Sequence, residues 1–139
     1  MSVPRPDSRA QPREETLVIV LPLPPRVLSP NCPSGTRGGR FARASAARAY
    51  KDLARRAAEE TGVTGWQGAE VEARFYHKTE RRRDDVNHLA MLKPAYDGIV
   101  LAGLLPDDDR AHLRTTGATF AVDPAAPRVE LHFTRAVEP

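Results

Sequence analysis

The amino-acid sequence predicts a single α+β domain in which a mixed sheet of about four strands packs against two main helices. Three observations support this fold class. The length of 139 residues fits one domain but not two. Four short stretches have the apolar patterns of strands, and two longer ones have the three-to-four apolar spacing of helices. Their order is strand, loop, helix, strand, helix, strand, strand, which indicates one sheet covered by helices.

The chain is expected to begin folding at residue 16. Residues 1–15 are polar, include three prolines and lack apolar periodicity, which predicts a disordered tail before a domain over residues 16–139. The run TLVIVL is continuously apolar after its first residue and is followed by prolines. Such a run is typical of a strand that is buried on both faces.

A loop and a helix are predicted next. The segment RVLSPNCPSGTRGGRF is rich in glycine, proline and serine, so we expect a loop that exposes Arg37 and Arg40. These two arginines could contact the phosphate backbone of DNA, or the loop could simply be solvated. Strong helix formers follow and predict a helix from a cap at Ser45 to a glycine stop at Gly62.

The second half of the chain contains the remaining elements. Residues 69–77 alternate between apolar and polar side chains, as a half-buried strand does. Residues 85–103 have helical apolar spacing and predict a second helix that stops at Gly103. Two further strands are predicted at residues 112–122 and 128–135, joined by the turn sequence DPAAP.

Composition limits the classes of function. The formal charge is +3 with an isoelectric point near 9.4, and only three of the basic residues are lysines. Excess arginine suits phosphate contacts, although a GC-rich genome would give the same bias. A single cysteine, Cys32, excludes an internal disulfide and a multi-cysteine zinc site. Without a long apolar run or a secretory signal, we expect a cytoplasmic protein that does not bind membranes.

Two acidic clusters flank the second predicted helix. Asp84 and Asp85 stand at its start, where carboxylates cap free backbone NH groups, and Asp107 and Asp108 follow its end in a predicted turn. Each cluster alone is explained by local structure. Together they suggest a site for a hard divalent cation, which takes oxygen ligands from one or two carboxylates and from a substrate phosphate.

Basic residues accompany these carboxylates. Lys93 and Asp97 are four residues apart on the same helix face, which indicates either an ordinary ion pair worth ~0.3–0.5 kcal/mol or a lysine that stabilises charge on a phosphate. Three consecutive arginines precede the first acidic cluster and would hold the phosphodiester. They are Arg81, Arg82 and Arg83.

Three motifs in this region resemble one known family. They are R-R-D-x-x-N from Arg82, L-K-P-x-x-D-G from Leu92 and A-G-L-L-P-D-D from Ala102. Together with the L-P-L-P-P ending of the first strand, they resemble the RusA family of Holliday junction resolvases, which are small dimeric magnesium-dependent endonucleases. The resemblance covers most of residues 17–135.

The resemblance implies a RusA-like fold, a homodimer, Mg²⁺ and a branched or four-way DNA substrate, with no small-molecule cofactor. It also implies a role for each matched residue. The catalytic residues would be Asp84, Lys93 and Asp108, the metal ligands Asp84, Asp85, Asp107 and Asp108, and the supporting residues Asn87 and Asp97.

One position departs from the family pattern. Many members have a second aspartate where this chain has Val86, so Asp85 or the amide oxygen of Asn87 would have to replace it. A non-catalytic module that binds branched DNA is therefore the main alternative. A protein-interaction domain, in which the acidic clusters serve only as caps and loops, is a second alternative.

The predicted helix raises a geometric problem. A continuous helix over residues 85–103 would be ~28 Å long, so Asp84 and Asp108 could not meet across it. Three arrangements would solve this: Pro94 breaks the helix, the loop after it folds back along it, or a second subunit completes the site. We hypothesise the third arrangement.

Overall fold

The computed structural model describes residues 15–33, 35–81 and 83–136 and confirms the predicted fold class. The predicted tail, apart from its last residue, lies outside this range. Glu15 continues the first strand, because its carbonyl accepts a hydrogen bond from the backbone of Arg135 (2.8 Å) and its carboxylate pairs with the same arginine (2.7 Å). The elements are β1 (Thr16–Leu21), a 3-10 turn (Arg26–Leu28), α1 (Arg37–Thr61), β2 (Ala69–His77), α2 (Asp85–Ala90), α3 (Lys93–Leu101), β3 (Leu113–Val122) and β4 (Arg128–Arg135).

The four strands form one mixed sheet in the order β1-β4-β2-β3. β2 and β3 are parallel, and the other two pairs are antiparallel. The alternation predicted for β2 and β4 is confirmed, since every second residue faces the helices and is buried. These inward residues are Val71, Ala73 and Phe75 of β2 and Val129, Leu131 and Phe133 of β4.

The prediction that β1 is buried on both faces was wrong. Ile19 and Leu21 are buried, but Val18 and Val20 are 45% and 52% exposed. β1 is an edge strand that pairs only with β4, and the helices cover a single face of the sheet. A run of β-branched residues satisfies strand propensity on either face, so the sequence alone did not distinguish the two cases.

Helix α1 begins eight residues earlier than the predicted serine cap at Ser45. The hydroxyl oxygen of Thr36 accepts a hydrogen bond from the backbone NH of Gly39 (2.9 Å) and caps the helix. Arg37 and Arg40 therefore lie on the first turn of a helix, not in a loop, which corrects the prediction. The stop at Gly62 is confirmed, with a left-handed φ of 71°.

The second predicted helix is divided into α2 and α3, so a continuous helix over residues 85–103 was wrong. Pro94 stands in the first turn of α3, where its missing NH costs nothing. In a continuous helix its ring would clash with the carbonyl four residues earlier. Gly103 ends this region with a φ of 93°.

Helix α3 crosses α1 at a point of very close backbone approach. Gly98 is buried there, and a Cβ atom added to it would lie 2.9 Å from the backbone nitrogen of Arg55 and closer still to the carbonyl oxygen of Lys51. The adjacent residue Tyr50 uses its hydroxyl to donate a hydrogen bond to the carbonyl of Pro22 (2.7 Å), which fixes the chain after β1. None of the helices in the described ranges is both long and apolar enough to cross a membrane.

Candidate functional site

Lys93 joins two carboxylates from different parts of the chain. Its ammonium group donates hydrogen bonds to Asp97, one helical turn later (2.9 Å), and to Asp108, fifteen residues later (2.6 Å). The side chain of Asp108 is only 14% exposed, whereas that of Lys93 is 63% exposed. The structure thus confirms that Lys93 and Asp97 share a helix face and adds Asp108 to them.

The fold of the loop after α3 explains this contact. Leu104 and Leu105 are buried, and the carbonyls of Gly103 and Leu104 accept hydrogen bonds from Gly65 and Trp66 (2.9 Å each). The chain is therefore held beside the helix and returns along it to Lys93. The helix break and the returning loop are two of the three arrangements considered from the sequence, and both occur within one chain. Completion of the site by a second subunit stays a prediction.

The charges in this cluster affect one another. Partial burial alone would raise the pKa of Asp108, but the hydrogen bond and charge of Lys93 outweigh it and hold that pKa below its usual value of 3.8. Hydrogen bonds to Asp108 and then to Asp97 raise the pKa of Lys93. At neutral pH the cluster is therefore two carboxylates around one ammonium ion.

Asp107 and Asp109, the neighbours of Asp108 in sequence, have local partners. Asp107 accepts a hydrogen bond from the backbone NH of Asp108 (2.7 Å). Asp109 accepts bonds from the backbone NH groups of Ala111 and His112 (3.1 Å each) and pairs with the His112 ring (2.6 Å). Of the three, Asp108 is the residue that contacts the lysine.

Asp84 caps helix α2, as predicted. One oxygen of its carboxylate accepts hydrogen bonds from the backbone NH groups of Val86 (2.9 Å) and Asn87 (3.2 Å). Asp85 follows as the first residue of the helix and is exposed, and Val86 is 75% exposed. The carbonyl of Asp84 also accepts a hydrogen bond from Nδ1 of His88 (2.9 Å), which places that ring beside the cap.

The predicted metal ligands do not form a single preformed cage. Across residues 15–33, 35–81 and 83–136, no three side chains of His, Cys, Asp or Glu are grouped so that they could hold a metal ion. Asp84 and Asp85 belong to the start of α2, and Asp107 and Asp108 to the turn after α3. Each pair has its own set of hydrogen bonds.

Two of the three consecutive arginines line a cleft of about 370 Å³ near Asp84. They are Arg81 and Arg83, and the guanidinium of Arg83 is held by the carbonyl of Thr79 (3.0 Å). Arg82 lies outside the described residues. Arg37 and Arg40 are exposed on the first turn of α1, where Arg40 donates a hydrogen bond to the carbonyl of Gly35 (3.1 Å).

The cleft also contains residues that the sequence analysis missed. Arg26 enters from the 3-10 turn and His77 from the end of β2, and His88 completes this wall. Arg26 and His77 are some fifty residues apart, so no motif spacing could connect them. The only available signal was strand alternation, which places His77 on the same face of β2 as the buried Phe75.

The environment of His77 keeps its ring neutral at physiological pH. Its ring centroid lies 5.3 Å from that of His88, in an edge-to-face arrangement, and 6.2 Å from those of Phe75 and Phe120. Burial, followed by the charges of Arg83, His88 and Arg81, lowers its pKa to about 4.

Comparisons with known proteins do not assign the chain to a family. No protein-family model matches it, and no curated protein matches it significantly. The resemblance to the RusA family therefore depends on the motifs in the sequence.

Proposed function

We propose that the protein is a cytoplasmic, magnesium-dependent endonuclease that cuts branched DNA, as the RusA resolvases do. The observation that supports this most is the contact between Lys93 and Asp108. These two residues are separated by a helix and a loop, and the resemblance assigns both to one catalytic site. The arginine-lined cleft beside Asp84 gives further support, because a nuclease must hold a phosphodiester next to its carboxylates.

In this proposal the carboxylates hold a magnesium ion whose other ligands come from the substrate. Magnesium commonly uses one or two protein carboxylates, with phosphate and water oxygens as the other ligands. Asp84 and Asp108 would hold the ion, assisted by Asp85 and Asp107, so a cage of three carboxylates in the free protein is not required. The ion would supply activated water for attack on the phosphorus.

The other residues of the site have roles that follow from their contacts. Lys93 would stabilise negative charge on the phosphate or the leaving group, and Asp97 holds its ammonium in position. Asn87, at the position after Val86, would offer an amide oxygen near the ion. Each of these roles depends on the DNA strand passing over the starts of both α2 and α3.

DNA would be held mainly through its phosphates. The proposed contacts are Arg81, Arg82 and Arg83, with Arg37 and Arg40 at the start of α1. Such binding weakens steeply with salt. We also propose a homodimer, because a four-way junction presents two equivalent strands and a two-fold pair of sites would nick both.

The test is a nicking assay on a synthetic four-way junction with and without magnesium. Asn caps a helix about as well as Asp, so Asp84→Asn removes the charge and preserves the start of α2. We expect Asp84→Asn to lower nicking by at least about 100-fold, in the range seen when a catalytic group is removed, without loss of thermal stability. Glu60→Gln, an exposed carboxylate of α1, is the matched control and should cut normally. Equal cutting by both variants would contradict the assignment.

A non-catalytic module that binds branched DNA is the second candidate. It is favoured by Val86, which is 75% exposed where many RusA-like proteins have an aspartate. This candidate predicts that the protein shifts a four-way junction in preference to linear duplex in a gel but never nicks it. If Val86→Asp gained nicking activity, the result would support a nuclease site that the valine has inactivated.

A further inference from the structure

The cleft beside α2 has a strongly cationic lining. It has a volume of about 370 Å³, which is within the range of small-ligand sites. Its polar side chains come from two separate stretches of the chain, residues 26–29 and 77–88. They are Arg26, Ser29, His77, Arg81, Arg83 and His88. The cleft therefore collects three guanidinium groups, one hydroxyl and two imidazole rings.

No carboxylate is present among the residues that line this cleft in the described part of the chain. Glu80 lines the adjoining hollow, which shares His77, Arg81 and Arg83. Some arginines elsewhere are paired with carboxylates: Arg128, for example, contacts Asp123 (2.7 Å) and Glu130 (2.8 Å).

The positive charges in the cleft also oppose one another. Burial, followed by the charge of Arg81, lowers the pKa of Arg83. Like charges held close together without counter-charges are unfavourable in the free protein, and an anion bound between them would relieve the repulsion. The lining thus has the charge pattern of an anion site.

His77 lines the cleft and has one unused hydrogen-bonding atom. Its Nε2 is buried and has no hydrogen-bond partner among the described residues. Buried polar atoms in proteins normally have partners, and those without one often mark a place where a ligand or water binds. A protonated His77 would donate from this nitrogen to an anionic oxygen, with the proton taken from solvent.

We propose that this cleft is a phosphate-binding site, in which Arg26, Arg81, Arg83 and His77 hold the oxygens of one phosphate group. This site extends the proposed function to a further contact with the substrate. It depends on that function only for the source of the phosphate, which would be a DNA strand that continues past Asp84. Arg26 and His77 are the new residues, because the sequence motifs assign neither. His88 joins the cleft to the Asp84 cap through its Nδ1.

Binding should be linked to proton uptake by His77. The charged and titratable groups that line the cleft or the adjoining hollow with His77 are Arg26, Glu80, Arg81, Arg83 and His88, while Phe75 and Phe120 contribute only apolar rings. Of these groups, Arg83, His88 and Arg81 disfavour a positive imidazole. A bound phosphate reverses the local field, so the pKa of His77 should rise from about 4.

The first experiment titrates inorganic phosphate into the metal-free protein at constant ionic strength, with chloride as the reference anion. Thermal unfolding and the histidine ring signals in NMR spectra are followed together. We expect a saturable rise in melting temperature with phosphate and a rise of at least about one unit in the pKa of His77, since an opposite charge nearby commonly shifts a pKa by one to three units.

Variants identify the site. Arg26→Gln should weaken phosphate binding by about tenfold, as expected for loss of one charge-assisted hydrogen bond. Arg26 is exposed, so the fold should be preserved, and the melting temperature without phosphate checks this. Arg48→Gln, an exposed arginine in the middle of α1, is the matched control and should bind normally. His77→Phe retains an aromatic ring and should remove the linked proton uptake.

A second arm separates the sources of phosphate. A short DNA strand without a terminal phosphate is compared with the same strand carrying a 5′-phosphate. Equal binding assigns the site to internal phosphodiesters, and binding of the phosphorylated strand alone assigns it to a strand end.

The proposal is overturned if phosphate has no saturable effect, or if Arg26→Gln and wild type bind equally. These measurements contain no metal and no cleavage step, so they are independent of the nuclease assay. Nicking without phosphate binding would reject only the phosphate site in the cleft. Phosphate binding without nicking would reject only the proposed endonuclease activity.

Discussion

Gly98 offers the most direct test of how α3 packs on α1. A methyl group at this position would lie 2.9 Å from the backbone nitrogen of Arg55 and 3.0 Å from the carbonyl carbon of Lys51. These are backbone atoms of a 25-residue helix, so no side-chain rotation can make room. Gly98→Ala must therefore push the two helices apart.

The expected size of the effect follows from two opposing contributions. Replacement of a helical glycine by alanine favours folding by roughly 0.5–1 kcal/mol, because the unfolded chain loses freedom. Overpacking against rigid neighbours costs typically 1–3 kcal/mol, and backbone contacts this close place Gly98 at the upper end. The net loss should be about 2 kcal/mol, which corresponds to a fall of about 8 °C in melting temperature for a domain of this size.

Urea unfolding and thermal unfolding, both followed by circular dichroism, measure this loss. Gly38→Ala is the matched control, because Gly38 is also in a helix but an added Cβ would meet nothing within 4 Å. That variant should be as stable as wild type or slightly more stable. If Gly98→Ala unfolds at the same urea concentration as Gly38→Ala, the close crossing of α1 and α3 is refuted.

Two further substitutions test other contacts. Lys93→Met should lower the stability at pH 7 by about 1 kcal/mol, since Asp108 loses its counter-charge, and should abolish the proposed nicking, since the phosphate loses its stabilising ammonium. Because the pKa of Asp108 is held below 3.8, the contact stabilises the fold above that pH and is lost as the pH falls through the lowered pKa. The loss of stability measured by urea unfolding should therefore shrink in acid. A loss equal to that of Lys78→Met would count against the contact. Tyr50→Phe should cost about 1 kcal/mol in the same assay, because a backbone carbonyl loses its donor. Tyr76→Phe, at a ring that lies under Arg128, should lower the stability less. A larger loss for Tyr76→Phe than for Tyr50→Phe would contradict a stabilising hydrogen bond from Tyr50.

The features that could be predicted from the sequence are those determined by neighbouring residues. The alternation of Val71, Ala73 and Phe75 specified which face of β2 is buried, because successive side chains of a strand point in opposite directions. The cap at Asp84 and the pair of Lys93 with Asp97 follow from helical spacing. Each of these predictions needed fewer than ten residues of context.

The features that could not be predicted depend on distant parts of the chain. The exposure of Val18 and Val20 reflects the position of β1 at the edge of the sheet, which its own residues do not encode. The division of the second helix follows from Pro94, yet periodicity continues across the break because Leu89 of α2 packs partly buried against the same core in which α3 buries Tyr96 and Ile99. The meeting of Arg26 with His77 requires the complete fold.

The break between α2 and α3 separates the proposed catalytic groups into two independently anchored pieces. α2 is fixed to the sheet where His88 packs against Phe75 and Phe120 (5.0 Å each between ring centroids), while α3 is fixed to α1 at Gly98. In an uninterrupted helix, one inserted residue would turn everything beyond it by about 100°. Here α2 and α3 are each held by their own contacts, so the orientations of Asp84 and Lys93 are not tied together by one continuous helix.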